Sequence, residues 1–162
     1  NFLKASDDPG LDQEMFMRAQ ILFWLMGATD GHAKNFSVFL MPGGRFRLAP
    51  LYDIMSVQPN LDAGELRYNQ MKLAMAVGDN RHYVIRTIMP RHFEQTARQG
   101  GVAALRVENI FRSFLETIPS GIKKTLSGLP KGFPEQMAAS ISNGMRQRLK
   151  KIEGYFAARR NP

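Results

Sequence analysis

The N-terminal part of the chain carries hydrophobic residues at helical spacing. The positions that recur at intervals of three and four are Leu11, Met15, Ala19, Leu22, Phe23 and Met26. Asp8 and Pro9 suit the N-cap and first turn of a helix, and Gly27 suits its end. Because the stretch from Ile21 to Met26 is apolar nearly all round, we expect this helix to be buried at the centre of the domain.

Three more helices are predicted in the second half of the chain. The first begins at Pro90 and ends near Gln99, the second spans residues 107–126 and is bent or divided at Pro119, and the third begins at Pro134. Their charged residues alternate with apolar ones, so we expect them to form solvated outer faces. The residues placed on these outer faces are Arg91, His92, Arg98, Arg146, Arg148, Lys150, Lys151, Arg159 and Arg160.

A β-hairpin is predicted between the first helix and the others. Residues 36–41 are apolar enough for one strand, Pro42-Gly43-Gly44 forms the turn, and residues 45–48 alternate as the returning strand would. The polar residues 56–70 are predicted as a loop and residues 72–75 as a short strand. Residues 83–88 fit either a strand or a helix.

These patterns predict a fold that is mainly α with a small β-hairpin. We expect a single domain over residues 1–162, with the functional region at 27–54 and a helical remainder at 89–158. The length and the hydrophobic content of 44% suffice for a folded core. Because the chain begins with Asn1 rather than Met, we expect a piece of a longer protein.

Composition narrows the class of protein further. The absence of cysteine excludes disulfides and thiolate metal sites and favours a reducing compartment, so we expect a cytoplasmic protein. There is no apolar run of membrane-spanning length and no signal-peptide pattern. The net charge of +8 leaves three interpretations open: contact with nucleic acid, a site for a polyanionic ligand, or a basic surface without a specific partner.

A cluster of polar residues follows the first helix and precedes the hairpin. It consists of Asp30, His32, Lys34, Asn35 and Ser37. Asp30 and Asn35 have the spacing of a kinase catalytic loop, in which the carboxylate orients the attacking hydroxyl and the amide oxygen binds magnesium. Asp53, at the exit of the hairpin, would supply a second oxygen ligand to the same metal. Each of these residues alone is an ordinary turn residue, and only their combination predicts phosphoryl transfer.

Two more side chains of the loop fit this chemistry. Lys34 would lie near the transferred phosphate and balance its negative charge. His32 would hydrogen-bond the loop backbone or Asp53, and direct contact of His32 with a phosphate is the alternative. His82 and His92 lack a third ligand at metal-binding spacing, so no zinc site is predicted.

Several motifs together resemble the HipA family of bacterial serine/threonine kinases, the toxins of type II toxin–antitoxin modules. The matching stretches are residues 27–37, Leu51-Tyr52-Asp53-Ile54, Lys72-Leu73-Ala74-Met75 and Pro90-Arg91-His92-Phe93. The resemblance implies the helical C-terminal lobe of a protein-kinase-like fold. It implies that Asp30 is the catalytic aspartate and that Asn35 and Asp53 bind Mg²⁺. The residues that it places against the phosphates of ATP are His32, Ala33, Lys34, Asn35, Tyr52 and Asp53.

The resemblance also implies partners. One is a small helix-turn-helix antitoxin like HipB, which would bind operator DNA together with the toxin. Another is a protein substrate such as glutamate–tRNA ligase, whose phosphorylation would halt translation and favour persistence. Direct contact of this chain with DNA is not expected, because the helix from Pro90 carries only a thin basic run.

One departure from the family limits the expected activity of this chain by itself. No Gly-rich nucleotide loop precedes Asp30, and an N-terminal lobe is absent from the sequence. We therefore expect the isolated chain to bind ATP weakly and to be inactive. Two alternatives remain open: a small-molecule phosphotransferase of aminoglycoside-kinase type, and a non-catalytic lobe that docks the antitoxin or DNA.

Overall fold

The computed structural model describes residues 2–160, and most of this chain is helical. The elements are α1 (Pro9–Met26), β1 (Val38–Met41), β2 (Arg45–Leu48), α2 (Gln58–Asp62), β3 (Lys72–Val77), β4 (His82–Val84), α3 (Pro90–Gly100), α4 (Ala104–Ser127) and α5 (Glu135–Arg160). Two antiparallel sheets of two strands each, β1–β2 and β3–β4, accompany the helices. The prediction of a mainly α fold with a small hairpin is therefore confirmed.

Helix α1 lies at the centre of the core, as its apolar pattern predicts. Asp8 caps its start by accepting a hydrogen bond from the Leu11 amide at 3.0 Å. Ile21 and Trp24 are fully buried, and the Trp24 indole packs against Phe93 of α3 with ring centroids 5.5 Å apart. Burial of this apolar face against α3, α4 and α5 is the main source of helix stability here. Leu11 is the exception, since 49% of its surface is exposed.

The first hairpin is held on α1 by a buried carboxylate. Strand β1 pairs with β2 in the register Val38 opposite Leu48 and Met41 opposite Arg45. Asp12, which is fully buried, accepts hydrogen bonds from the Leu48 amide at 3.0 Å and from Arg47 Nε at 3.2 Å. Burial would raise the pKa of Asp12, but the hydrogen bonds from Leu48, Ser6 and Arg47 outweigh burial and lower it. These contacts therefore fix the orientation of the hairpin relative to α1.

Several local predictions are corrected by the structure. Residues 58–62 form the short helix α2 inside the stretch predicted as loop, and α4 is not divided at Pro119, where the sequence left a bend or a division open. Residues 82–84 form strand β4, followed by a 3₁₀ turn over residues 85–87. Pro119 is exposed, so the strain that a proline introduces is placed on the solvent side of the helix. The long helices could be predicted from the spacing of apolar residues. The short helix α2, strand β4 and the 3₁₀ turn could not, because they depend on tertiary packing.

Two residues assigned to solvated faces are buried instead. His92 is 3% exposed and Arg148 is 7% exposed. The ring of His92 stacks on His82 with centroids 3.8 Å apart, and its Nδ1 accepts the Met89 amide at 3.2 Å. Burial, together with the charges of His82 and Arg91, lowers the pKa of His92 to about 4. His92 is thus a neutral capping residue of α3 rather than a surface charge.

Among residues 2–160, none of the helices combines the length and the hydrophobicity that a membrane crossing requires.

Candidate active site

The polar loop begins where α1 ends, at a short contact between two distant segments. Gly27 ends the helix in the left-handed conformation, with φ of 70°, which glycine adopts without strain. Ala28 then forms an isolated antiparallel bridge with Ser56. The Val57 amide donates to the Gly27 carbonyl at 3.1 Å, and the Ser56 hydroxyl donates to the Met26 carbonyl at 2.5 Å. The segments that carry Asp30 and Asp53 therefore start from one junction.

Inside the loop, backbone and side-chain hydrogen bonds converge on Asp30. Its carbonyl oxygen accepts the His32 amide at 2.8 Å and the Asn35 side-chain amide at 2.5 Å. The Asn35 backbone amide donates to the His32 carbonyl at 2.9 Å, which closes a 3₁₀ turn over Ala33–Asn35. Asp30 and Asn35, separated by four residues, are thus placed side by side.

The loop is held to the core by its apolar members. Gly31 is buried, and a Cβ at that position would overlap the ring of Phe23. Phe36 packs on Phe16 and Phe23, with ring centroids 5.1 and 6.0 Å apart. Since these two positions face inward, the flanking Asp30 is left exposed to solvent. Only glycine fits at position 31, which explains its place between two polar residues.

The basic residues of the loop lie at its exposed edge. His32 Nε2 is 3.4 Å from Asp30 Oδ1, and both side chains are about half exposed. The side-chain contact that the structure shows for His32 is therefore with Asp30, where the sequence had suggested the loop backbone or Asp53. Ala33 and Lys34 are exposed beside it. The loop thus presents a carboxylate, an imidazole and an ammonium group to solvent.

The second segment is joined to the first at its far end as well. The Tyr52 hydroxyl lies 2.7 Å from the Ser37 hydroxyl, and the Ala49 amide donates to the Ser37 carbonyl at 2.8 Å. Asp53 is exposed and has a positive φ of 54°, a conformation that is uncommon outside glycine. Strain of this kind persists where the surrounding structure imposes it, and it is frequent at functional sites. The contacts at Ser37 and at Ser56 flank Asp53 on both sides.

The donor set of this region suits a hard cation. Asn35 and Asp53 offer amide and carboxylate oxygens, which Mg²⁺ prefers, and Mg²⁺ is commonly bound by one or two carboxylates plus substrate phosphates and water. In the described range, residues 2–160, no group of three or more His, Cys, Asp or Glu side chains is close enough to hold a metal ion by itself. The chemistry of Asn35 and Asp53 therefore suits a cation whose other ligands are phosphate and water oxygens.

A hydrogen-bonded cluster beneath the junction, buried at Gln58, Ser140 and Arg148, was missed by the sequence patterns. Arg148 of α5 donates from Nε to the Leu25 carbonyl at 2.8 Å and from Nη1 to Gln58 Oε1 at 2.9 Å. Gln58 in turn donates to Asp62 at 2.9 Å, and Ser140 donates to Asp62 at 2.6 Å. The signal that could have found this cluster is the spacing of Ser140, Gly144 and Arg148 at intervals of four, beside the apolar Leu149.

Comparison with known proteins places most of the chain in one family. Residues 1–122 match the family model of the HipA-like C-terminal domain. The chain belongs to the HipA-like C-terminal domain family. The polar loop, both hairpins, α1, α2, α3 and most of α4 fall inside this match, whereas α5 with Arg148 follows it.

A solved structure extends the likeness to nearly the whole chain. It is a chain of the toxin–antitoxin complex of HipA, HipB and operator DNA from Shewanella oneidensis MR-1, 23% identical, with a TM-score of 0.73. The match covers 96% of the present chain and 34% of that chain. It shows the fold of a HipA C-terminal lobe, α5 included. The HipA-like chain described here spans about a third of the length of that structure.

Proposed function

We propose that this HipA-like lobe carries the catalytic and metal-binding half of an ATP- and Mg²⁺-dependent serine/threonine kinase. The observation that carries the proposal is the paired arrangement of two segments. The Asp30–Asn35 loop and the segment of Asp53 leave one junction at Ala28 and Ser56 and meet again at Ser37 and Tyr52. Phosphoryl transfer needs a carboxylate for the acceptor hydroxyl and oxygen ligands for magnesium, and in this proposal Asp30, Asn35 and Asp53 take those roles.

The proposed roles follow from the position of each side chain. Asp30, exposed at the loop surface, orients the acceptor hydroxyl and accepts its proton. Asn35 donates its amide nitrogen to the Asp30 carbonyl, which leaves its amide oxygen to act as a Mg²⁺ ligand together with Asp53. Lys34 and His32 lie at the exposed edge, where positive charge would face the phosphates of ATP. Ala33 and Tyr52 complete the phosphate-lining surface. When bound, the Mg²⁺ ion would neutralise charge on those phosphates.

The partners belong to the proposal as well. Membership of the HipA-like family and the HipA–HipB–DNA complex of the structural relative support an antitoxin like HipB as a binding partner. In this proposal operator DNA is bound through the antitoxin. The substrate is a cytoplasmic protein, and an aminoacyl-tRNA ligase such as glutamate–tRNA ligase is the class we propose.

Phosphoryl transfer by the full-length protein tests the reaction. Purified protein, ATP and Mg²⁺ are incubated with glutamate–tRNA ligase, and in parallel with hydroxylated small molecules such as aminoglycosides. We expect labelled phosphate on the protein substrate, and a loss of about 10²- to 10⁴-fold in Asp30→Asn, as for removal of a general base. Asp79→Asn, an exposed carboxylate that contacts Arg98 and Gln99, serves as the matched control and should retain full activity.

Two outcomes would contradict the proposal. One is transfer to the small molecules alone, which would favour a phosphotransferase of aminoglycoside-kinase type. The other is equal activity in the wild type and Asp30→Asn. Calorimetry of ATP binding in the presence of Mg²⁺ tests the metal ligands separately, since Asp53→Asn should require more Mg²⁺ for the same ATP affinity.

A further inference from the structure

Arg148 is a buried cation that joins three elements beneath the candidate active site. It belongs to α5, is 7% exposed, and reaches both the last turn of α1 and the first residue of α2. The Leu25 carbonyl that it binds is one of the carbonyl groups that the end of α1 leaves without a helical partner. A positive charge is favourable at that end of a helix. The guanidinium group therefore acts as a C-terminal cap supplied by another helix.

The two groups that Arg148 binds lie on either side of the junction that starts the site. Leu25 precedes Gly27 and Ala28, from which the Asp30 loop departs, and Gln58 follows Ser56 and Val57, to which the Asp53 segment leads. The planar guanidinium fork holds the two acceptors at 2.8 and 2.9 Å in one rigid geometry. It thereby holds the two site-bearing segments at one distance from each other.

Two glycines make room for this guanidinium group. A Cβ at Gly144 would lie 2.7 Å from Arg148 Nη2 and 2.6 Å from Gln58 Oε1, and a Cβ at Gly27 would lie 3.3 Å from Nη2. Gly154, on the same helix, has no atom within 4 Å of the corresponding position. The space around Arg148 is therefore shaped by one glycine of α5 and by the glycine that ends α1.

A contribution to the stability of the fold does not explain why an arginine occupies position 148. The Nη2 nitrogen of Arg148 has no hydrogen-bond partner among the described residues, and burial lowers the pKa of the group to about 10 although Asp62 opposes the shift. A buried charge of this kind can often be replaced by an apolar residue without loss of stability. What an apolar side chain cannot do is bind Leu25 and Gln58 at the same time.

We propose that Arg148 is a positioning residue, which sets the Asp30 loop and the Asp53 segment in register from beneath and so tunes the Mg²⁺ site between them. The metal-site part rests on the kinase function proposed above. The register part concerns only contacts between Arg148, Leu25 and Gln58 and is tested without any activity.

Hydrogen–deuterium exchange of the full-length protein tests the register. Gly144→Ala displaces the guanidinium group without removing its charge, and Gly154→Ala adds the same methyl group to α5 in open space. We expect the peptide containing Val57, whose amide donates to Gly27, to exchange about ten- to a hundredfold faster in Gly144→Ala, as for loss of hydrogen bonds to a charged group. Peptides of the buried α4 core around Phe111 should be unchanged. Equal exchange at Val57 in both alanine variants, or faster exchange everywhere in Gly144→Ala alone, would overturn the proposal.

The Mg²⁺ dependence of phosphoryl transfer tests the effect on the site. We expect the Mg²⁺ concentration for half-maximal activity to rise by about tenfold in Gly144→Ala and in Arg148→Lys, which keeps the charge but lacks the fork. Partial unfolding would lower kcat in proportion to the unfolded fraction and leave this concentration unmoved, which would refute a positioning role at the metal. If the wild type transfers no phosphate, the kinase proposal fails, while the exchange result still decides whether Arg148 sets the register.

Discussion

The two ends of α1 each receive one buried charge, and the two charges are satisfied to different degrees. At the first turn, Asp12 is fully buried, accepts hydrogen bonds from Arg47 and the Leu48 amide, and has a lowered pKa, so the fold favours its charged form. At the last turn, Arg148 is nearly as buried, but its lowered pKa means that the fold disfavours its charged form. Both charges have the sign that the helix dipole prefers at their end.

This difference separates a stabilising contact from a positioning one. Asp12 joins α1 to β2 and to Ser6, and its charge is compensated by an adjacent guanidinium group. Arg148 comes from α5 and joins α1 to α2. Its link to the carboxylate of Asp62 runs through the side chain of Gln58, which is hydrogen-bonded to both. We conclude that the N-terminal end of α1 contributes mainly to stability, and that the C-terminal end, directly below the candidate site, contributes mainly to geometry.

Removal of the compensated charge should have the largest effect on stability. Asp12→Ala leaves Arg47 and the Leu48 amide without their acceptor, and we expect the free energy of unfolding to fall by about 3–5 kcal/mol. Urea unfolding of the wild type and the variant measures the difference. A loss below about 1 kcal/mol would show that Asp12 is not the main link between α1 and the hairpin.

A pH titration of stability separates the effect of a third buried group, His92, from the effects of Asp12 and Arg148 at the two ends of α1. Its folded-state pKa of about 4 lies below the ordinary value of 6.5, so the unfolded chain binds the proton more readily between these values. The contribution of neutral His92 to the free energy of unfolding should be fully present above pH 6.5. It should be lost as the pH drops toward 4, by up to about 3 kcal/mol. Asp12 and Arg148 keep their charges in this range.

The variant His92→Gln assigns this pH dependence. Its amide oxygen can still accept a hydrogen bond from the Met89 amide, but the side chain does not titrate. The dependence of unfolding free energy on pH between 6.5 and 4 should flatten in the variant. An unchanged slope would assign the effect to other groups.

Removal of the less compensated charge, that of Arg148, should have a smaller effect on stability. In Arg148→Met the Leu25 carbonyl and Gln58 lose a donor, but the cost of burying a charge disappears, so we expect a loss of about 1–2 kcal/mol. The same urea unfolding experiment measures it. A loss as large as that of Asp12→Ala would remove the distinction between the two ends.

An exposed ion pair should show the smallest loss of unfolding free energy among the charged residues compared. Arg98 is bonded to Asp79 at 3.0 Å, but the two side chains are 72% and 44% exposed. Arg98→Ala should change the free energy of unfolding by about 0.5 kcal/mol or less, because water and salt screen such pairs. A larger loss would indicate that the basic surface contributes to stability in a way that burial does not explain.

Much of the fold was predictable because it rests on local patterns. The face of α1 from Ile21 to Met26, the hairpin around Pro42 and the helices after Pro90 are written in the spacing of apolar residues. Helix α2 was missed because its five residues are too few to show a period. His92 and Arg148 were misplaced because a charged residue or a histidine on a helix is normally solvated, and their burial depends on partners far away in the chain.

The candidate site also has one part that the sequence predicts and one part that only the structure shows. Asp30 and Asn35 are close in sequence, and the hydrogen bond between the Asn35 amide and the Asp30 carbonyl is a local consequence of the turn. The bridge from Ala28 to Ser56 and the contact from Ser37 to Tyr52 join residues on opposite sides of the hairpin. Spacing could suggest that Asp53 returns to the loop, but the strained backbone that presents it was not visible in the sequence.

The sequence by itself determined the central helix, the family and the chemical composition of the polar loop, because apolar period, turn chemistry and motif spacing act over a few residues. Only the tertiary structure decided which buried charges support that loop. The contact of Arg148 with Leu25 and Gln58 requires three elements to meet and two glycines to leave space, and no local pattern contains that information.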